Sequence, residues 1–525
     1  MGYFLVGMLE LGPNSKNSGK AAIDTSGSRM IFLGIDSGTQ STKCIALDTD
    51  SGHVVAEAQE GYEMISGLSE GHLEQEPRVW IEACETTISS CLSQLGERKN
   101  EVRGIGVSGQ QHGLVVLDAD KKVIRPAKLW CDTSTVEQCA QFEEAFGGTT
   151  GLIKKGGNAM LPGYTAPKIA WLKQNEPDHF SATKHVLLPH DYINFWLTGE
   201  LRMEYGDASG TGLMDVRTRT WCEDLINFID PAVNEMLPEL SSSTSGSCSL
   251  KPELAEKFGL TKDIVVSAGG GDNMMGAIGT GNVTPGIVTA SFGTSGTLYA
   301  CSDRPIVDPK GEVAAFCDST DQWLPLVCTM NVTVATEQVR EMFGWEISEL
   351  ERAVSSTKPG AEGLTFLPYL NGERTPNLPN ASGSFFGLKP SNMTPQHLAR
   401  AAMEGATLGL AYGLGRLREL GVTPTEIRLT GGGSKSAIWR QIAADCFGVP
   451  VVTLATAEGA GLGAAIQAAF ASGDFGSDLS RLCDQWVALD DKTRAEPLAE
   501  NVALYQAQLE KFSSLTSLLA ANQYL

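Results

Sequence analysis

The feature that most limits what this chain can fold into is a plan used twice. Residues 31–47, IFLGIDSGTQSTKCIAL, read as an apolar strand, a turn rich in glycine and hydroxyls, and a second strand. Residues 287–299, IVTASFGTSGTLY, repeat that plan in the second half of the chain. Such a turn needs residues that tolerate positive φ, and a backbone with little side-chain cover can aim N–H groups at an anion. Gly38, Thr39 and Gln40 are placed to do so in the first copy. Asp36, just before the turn, is useful beside a phosphate only through a metal, and Mg2+ suits one carboxylate plus phosphate oxygens and water. Taken alone, the first copy is equally an ordinary hairpin with a solvated aspartate. The second copy decides the matter: two phosphate hairpins imply two related halves facing one nucleotide. Neither is a Walker loop.

A length of 525 residues, 42% hydrophobic and 19% charged, suits two or three domains with sizeable cores. The formal charge of −22, without any Lys/Arg-rich run, argues against nucleic acid or an anionic membrane surface as partner. An anionic ligand therefore needs local basic groups. No apolar run approaches the length of a transmembrane helix. Twelve cysteines without a C-x-x-C pair point to reduced thiols in a cytoplasmic protein rather than a zinc cluster. Residues 1–29 are expected to be a disordered extension or tag, not a signal peptide.

Periodicity predicts a meander through the hairpin and residues 54–62, then a helix over 74–96 and strands over 102–107 and 114–118. Helices follow at 134–146, 165–174, 189–197 and 221–228, with a loop and strand over 202–219 and a surface loop at 241–247. A short buried strand at 264–268 ends in GGGDN. After the second hairpin come a strand at 322–326, a helix at 330–343 and a strand at 363–369. The Pro/Asn/Gly-rich loop 371–389 has no assigned role. A long helix at 394–420 carries Gly405, Gly409 and Gly413, where another backbone is expected to pack closely. A strand at 426–430, helix at 437–447, strand at 451–453 and helices at 457–471 and 497–522 complete the chain.

Two motifs are decoys. Residues 104–109 match G-x-G-x-x-G but lie within a strand with no helix after them, and residues 12–20 only approximate a phosphate loop. The loop SGQQHG, by contrast, leaves the carboxyl end of a buried strand, where open α/β sheets place ligands. Gln110, Gln111 and His112 are therefore candidates, against a structural role for the histidine. Trp130 and Asp132 follow, a Trp beside polar groups that either faces a sugar or is simply buried. Asp272 in GGGDN stands at a strand's end, as a carboxylate base or as a helix N-cap. The run from Gly431 to Ser436, before a helix, favours nucleotide approach.

GIDSGTQSTK, GQQHG, GGGDN, SFGTSGTL and LTGGGSKSAIWRQIAADCFGVPV, in that order, closely resemble the FGGY carbohydrate kinases over about residues 30–490. The resemblance implies an α/β fold of two RNase H-like (actin-like ATPase) domains with a cleft between them. It divides the chain into 30–278 for the sugar and the base, 279–490 for the nucleotide, and a C-terminal helix at 491–525. It implies ATP and Mg2+, with Asp272 as general base for the C5 hydroxyl of D-xylulose and Asp36 on the metal. Gln111, His112, Trp130 and Asn273 would bind the sugar; Gly38, Thr39, Thr42, Lys43, Gly293 and Thr294 would lie near the phosphates. Gly431, Gly432 and Lys435 would flank the adenosine and Trp345 would cover the base. Gln111 and the segment from Trp130 to Ser134 depart from the family's common pattern, so D-ribulose or another ketose or polyol stays open, as do a non-catalytic ATPase sensor and a homodimer.

Overall fold

Alternating and near-continuous apolar strands build two mixed sheets of the same design in a computed structural model that describes residues 29–456 and 459–525. In the first, Ile31–Ser37, Ser41–Asp48 and His53–Gly61 form an antiparallel meander, Val102–Gly109 runs parallel to the first strand, and Val265–Val266 runs parallel to that. In the second, Ile287–Phe292, Gly296–Ala300 and Trp323–Thr329 are the meander, and Glu426–Thr430 and Val451–Leu454 are the parallel strands. The sequence repeat is thus a structural repeat. Each sheet buries its own core, around Leu33, Ile105 and Trp80 in the first and around Val288, Leu410 and Phe447 in the second.

The halves are interlocked. Helix Gly459–Ser472, from late in the chain, lies on the first sheet, and Leu462, Ile466 and Trp486 pack against Phe32, Ile45 and Leu47. The halves also meet along strand Ala314–Cys317 and the turn after it. Asn158 exchanges two hydrogen bonds with Ala315, at 3.0 and 2.7 Å. Arg219 stacks on Trp323 at 4.1 Å and donates to the Asp321 carbonyl at 2.6 Å. Asp321 in turn accepts from Ser242 Oγ at 2.6 Å and the Ser243 amide at 2.9 Å. Residues 241–247, expected as a surface loop, are therefore part of this junction, with Ser243 buried. Their serines and threonine satisfy a carboxylate from the other half, a contact no local pattern announces.

Other differences have local causes. The expected helix at 74–96 begins at Pro77, because Glu74–Gln75 pairs with Ala127–Lys128. Helices Gly148–Gly156 and Ile347–Ser355 add to those expected; the first is bracketed by Gly147 and Gly157, both in the left-handed region. The segment 491–525 opens as part of an edge strand, Leu489–Ala495, and becomes helical only at Ala499–Ala521. Tyr505 and Phe512 anchor that helix in the second half. In the long helix Pro395–Glu419, Gly405 abuts the Phe366 carbonyl and Gly413 abuts Val327, but nothing lies within 4 Å of a Cβ at Gly409. The expected extension 1–29, apart from Arg29, the decoy at 12–20, and positions 457 and 458 of the expected helix lie outside the described residues. Among the described residues, no helix is long and apolar enough to cross a membrane.

Candidate active site

Three strand ends of the first sheet converge by register. Asp36 lies beside Ser108, and Ser108 lies beside Gly270 of the short strand Gly270–Gly271, which delivers Asp272 as the first residue of helix Asp272–Gly279. Asp36 Oδ1 accepts from Ser108 Oγ at 2.9 Å. The N-cap of the helix is Gly271, so Asp272 is not the cap that its position also allowed. Its carboxylate is held instead by its neighbour: the Asn273 amide donates at 2.7 Å and Asn273 Nδ2 at 3.0 Å, both to Oδ1. Asn273 Nδ2 also donates to Gln111 Oε1 at 2.7 Å. Gly271 is required here, since a Cβ would stand 2.6 Å from Gln111 Cγ. Asp272 is partly open to the cleft, yet surrounded by protein mass, and burial followed by the Asp36 charge pushes its pKa up to about 7.

The loop after Val102–Gly109 is held in an unusual shape. His112 adopts φ 64°, and its carbonyl accepts from Lys168 Nζ and Thr165 Oγ1, each at 3.1 Å. That conformation sets the imidazole 5.0 Å from the Tyr164 ring and 5.7 Å from Phe316. Burial, then the charges of Lys168 and Arg374, lower its pKa to about 3, so the ring is neutral. Two buried polar atoms here, Gln111 Nε2 and His112 Nδ1, form no side-chain hydrogen bond among the described residues. Buried polar groups ordinarily are paired, so Gln111 Nε2 marks where a ligand oxygen would sit, whereas His112 Nδ1 lies against Gly210, where an added Cβ would stand 2.4 Å from it.

A second wall is organised by a lysine. Lys128, fully buried, places Nζ 3.2 Å from both Glu74 and Asp132, 2.8 Å from Ser134 Oγ and 3.8 Å above the Trp171 ring. His72, Glu74 and Asp132 have metal-like spacing, but the Lys128 ammonium already supplies the cation among them. Asp132 thereby serves Lys128 and the Leu73 amide, to which it is bonded at 2.9 Å. Trp130, 37% exposed, donates from Nε1 to Thr39 Oγ1 at 3.0 Å, and Gln75 Nε2 donates to the Thr39 carbonyl at 2.6 Å. Thr39 thus ties the hairpin to the Trp130 wall.

The phosphate candidates are only partly where the sequence suggested. The Gly38 amide closes the turn onto the Ser41 carbonyl at 3.0 Å, which leaves the Thr39 and Gln40 amides for an anion. Thr42 is fully buried and bonded to Ser37 at 3.1 Å and Tyr62 at 3.2 Å, so its hydroxyl holds the hairpin together and does not face the cleft. Lys43 lies opposite Asp36 in register, with its ammonium 3.4 Å from Glu57.

In the second half, Gly293 and Thr294 form the other turn, their carbonyls accepting from Thr333 and Val332, each at 3.0 Å. Gly431, at φ +82°, lies against this turn; a Cβ there would be 3.0 Å from the Gly293 nitrogen. The glycine loop and the second hairpin therefore form one surface, on which Gly431, Gly432 and Lys435 are exposed. Trp345 packs on Phe343 at 5.0 Å, and its backbone is bonded to Arg340. These contacts belong to its own turn of chain rather than to the glycine loop. Ser108, Tyr164, Lys168 and Lys128 were missed from sequence because each acts through a partner distant in the chain.

The chain matches the FGGY family of carbohydrate kinases, N-terminal domain, over residues 31–279 and the C-terminal domain over residues 288–472. It is 44% identical over 488 residues to the xylulose kinase of Haemophilus influenzae, covering 92% of this chain and 98% of that one. The crystal structure of a xyloylose kinase from Brucella ovis superposes with a TM-score of 0.88 at 32% identity, covering 94% of this chain and 99% of the other. A gluconate kinase from Lactobacillus acidophilus superposes with a TM-score of 0.87 at 27% identity, with the same coverage. Paired strand-end carboxylates on one half, a second hairpin turn with its glycine loop on the other, and both family domains matched in order lead to one conclusion: the chain belongs to the FGGY carbohydrate kinases and has their actin-like α/β fold of two RNase H-like domains flanking a cleft.

Proposed function

We propose that this kinase transfers the γ-phosphoryl group of ATP to the C5 hydroxyl of D-xylulose, giving D-xylulose 5-phosphate, with Asp272 as the general base. The observation that carries the reading is the chain Gln111–Asn273–Asp272, in which a carboxylate with its pKa raised to about 7 is fixed beside Gln111 Nε2, a buried donor with no acceptor among the described residues. A base with that pKa is matched to neutral pH. The 44% identity to a xylulose kinase supports this choice of sugar.

Phosphoryl transfer needs in-line positioning and charge neutralisation more than covalent chemistry, and these residues supply both. Asp272 receives the hydroxyl proton as the oxygen attacks phosphorus. Asn273 holds the carboxylate in place, while Gln111 Nε2 and neutral His112 contact sugar oxygens and Trp130 covers a face of the sugar. The turn amides of Thr39 and Gln40 and the second turn at Gly293 and Thr294 face the phosphates. Gly431, Gly432 and Lys435 accept the adenosine. Asp36, with one oxygen bonded to Ser108 and its charge felt at Asp272, is a hard-oxygen donor suited to Mg2+, which would neutralise phosphate charge there. Twelve cysteines, all free, support a reducing cytoplasmic setting.

The reading predicts that ³¹P NMR of reactions with D-xylulose, D-ribulose, gluconate and glycerol shows one dominant phosphate ester, on C5 of D-xylulose. A dominant ester on another sugar would refute the substrate assignment. The pH dependence follows from the raised pKa. The base works deprotonated, so kcat/KM should fall about tenfold per pH unit below about 7 and level off above it. A profile flat between pH 5 and 8 would count against Asp272 as the base.

A further inference from the structure

The loop 371–389, left without a role by the sequence, carries the exposed Arg374 beside Cys328 of strand Trp323–Thr329. Its base is immobilised by neighbours on both sides. The buried Glu373 carboxylate accepts from the Met330 amide at 2.6 Å and from Asn331 Nδ2 at 3.2 Å. Asn331 Nδ2 also donates to the Gly372 carbonyl at 2.7 Å, and the buried Thr375 hydroxyl donates to the Glu312 carbonyl at 2.8 Å. The chain from Met330 runs directly to Val332, whose amide is bonded to the Thr294 carbonyl of the second phosphate turn at 3.0 Å. Arg374 is thus mechanically tied to the nucleotide half.

Its side chain behaves differently. Arg374 is exposed, and among the described residues its guanidinium forms no ion pair; Nη1 donates to Cys328 Sγ at 3.9 Å. Cys328 packs on the cluster that contains Tyr164 and Phe316, the two rings that enclose His112. The charge of Arg374 is felt across the cleft: it helps to lower the His112 pKa, and it partly offsets the rise that burial imposes on Tyr164 and Cys131. Through Cys328, a cation of the second half with no ion pair among the described residues therefore lies next to the cluster that walls His112 in the first.

We propose that Arg374 is a specificity-determining residue supplied across the cleft, its guanidinium donating to oxygens of the sugar bound against Gln111 and His112. A planar fork of donors matches two neighbouring hydroxyl or keto oxygens in a way a lysine does not. Because its base is fixed to the second turn, the contact also couples sugar binding to nucleotide binding. The inference rests on the ketose kinase reading above.

The test compares Arg374→Met and Arg374→Lys with the wild-type protein. For Arg374→Met, KM for the sugar at saturating ATP should rise roughly 10- to 100-fold, as for a lost hydrogen bond to a charged group, while the affinity for a non-hydrolysable ATP analogue measured without sugar stays within about twofold of wild type. Arg374→Lys should recover only part of the loss. By calorimetry, the sugar should bind Arg374→Met alone as it binds wild type, but the gain in sugar affinity caused by a non-hydrolysable ATP analogue should disappear. Melting temperatures should be unchanged, since the side chain is exposed. A rise in KM for ATP with an unchanged KM for the sugar would overturn the assignment, and so would unchanged values for both. A wild-type protein that turns over no sugar would instead overturn the kinase reading itself.

Discussion

Replacing Asp272 by Asn should lower kcat by about a thousandfold or more while leaving sugar and ATP binding within a few-fold of wild type. The substitution keeps the shape and the acceptor oxygen that meets the Asn273 amide, so the bonds from Asn273 and the link to Gln111 survive. What it removes is the ability to take a proton. It also removes a charge that the site accommodates poorly, since burial and the neighbouring Asp36 disfavour the ionised form of Asp272. Because a neutral amide relieves that repulsion, the variant should fold at least as stably as wild type, and a loss of rate cannot be traced to misfolding. Steady-state rates combined with calorimetric binding separate the two effects. A kcat within tenfold of wild type would remove Asp272 from the chemistry; lost sugar binding with normal kcat would make it a binding residue only.

The second large effect concerns the crossing of helices Asp272–Gly279 and Gly459–Ser472, which joins the halves beneath the cleft. A Cβ on Gly279 would stand 1.6 Å from the Gly459 carbonyl oxygen and 2.8 Å from the Gly463 nitrogen. Both obstacles are backbone, so no rotamer change relieves them. Gly279→Ala should therefore destabilise the protein by about 3 kcal/mol or more, at the upper end of ordinary overpacking. It should also reduce activity by displacing the helix that begins at Asp272. Gly409→Ala is the matched control. That position is helical with nothing within 4 Å of the added methyl, so it should be neutral or stabilising by up to about 1 kcal/mol. Urea midpoints for the two variants decide the matter; equal shifts would contradict the packing described here.

Much of the site was legible because its parts are local. The two hairpins, the loop with Gln111 and His112, and the strand-to-helix passage at Asp272 each declare themselves within about ten residues. Glycine at turns, apolar strands and a carboxylate at a strand's end are short-range signals. The hairpin plan used twice likewise exposed the repeat between the two sheets. What stayed hidden depends on partners far apart in the chain. Lys128 is intelligible only beside Glu74 and Trp171, and Lys168 only beneath the His112 carbonyl. The family resemblance put Thr42 near the phosphates; the strand's alternation turns its hydroxyl inward to Ser37 and Tyr62. The junction at Ser243 and Asp321 pairs segments from different halves, and no periodicity in either predicts it.

Residues of both halves line the cleft, and a kinase built this way couples ATP turnover to a sugar hydroxyl. The most direct test of that coupling is the initial rate of ADP release from ATP with Mg2+, measured with and without saturating D-xylulose. The account predicts release that is strongly stimulated by D-xylulose, far less by other sugars, and that produces one sugar phosphate per ADP. Release that proceeds at the same rate whether or not any sugar is present would contradict it.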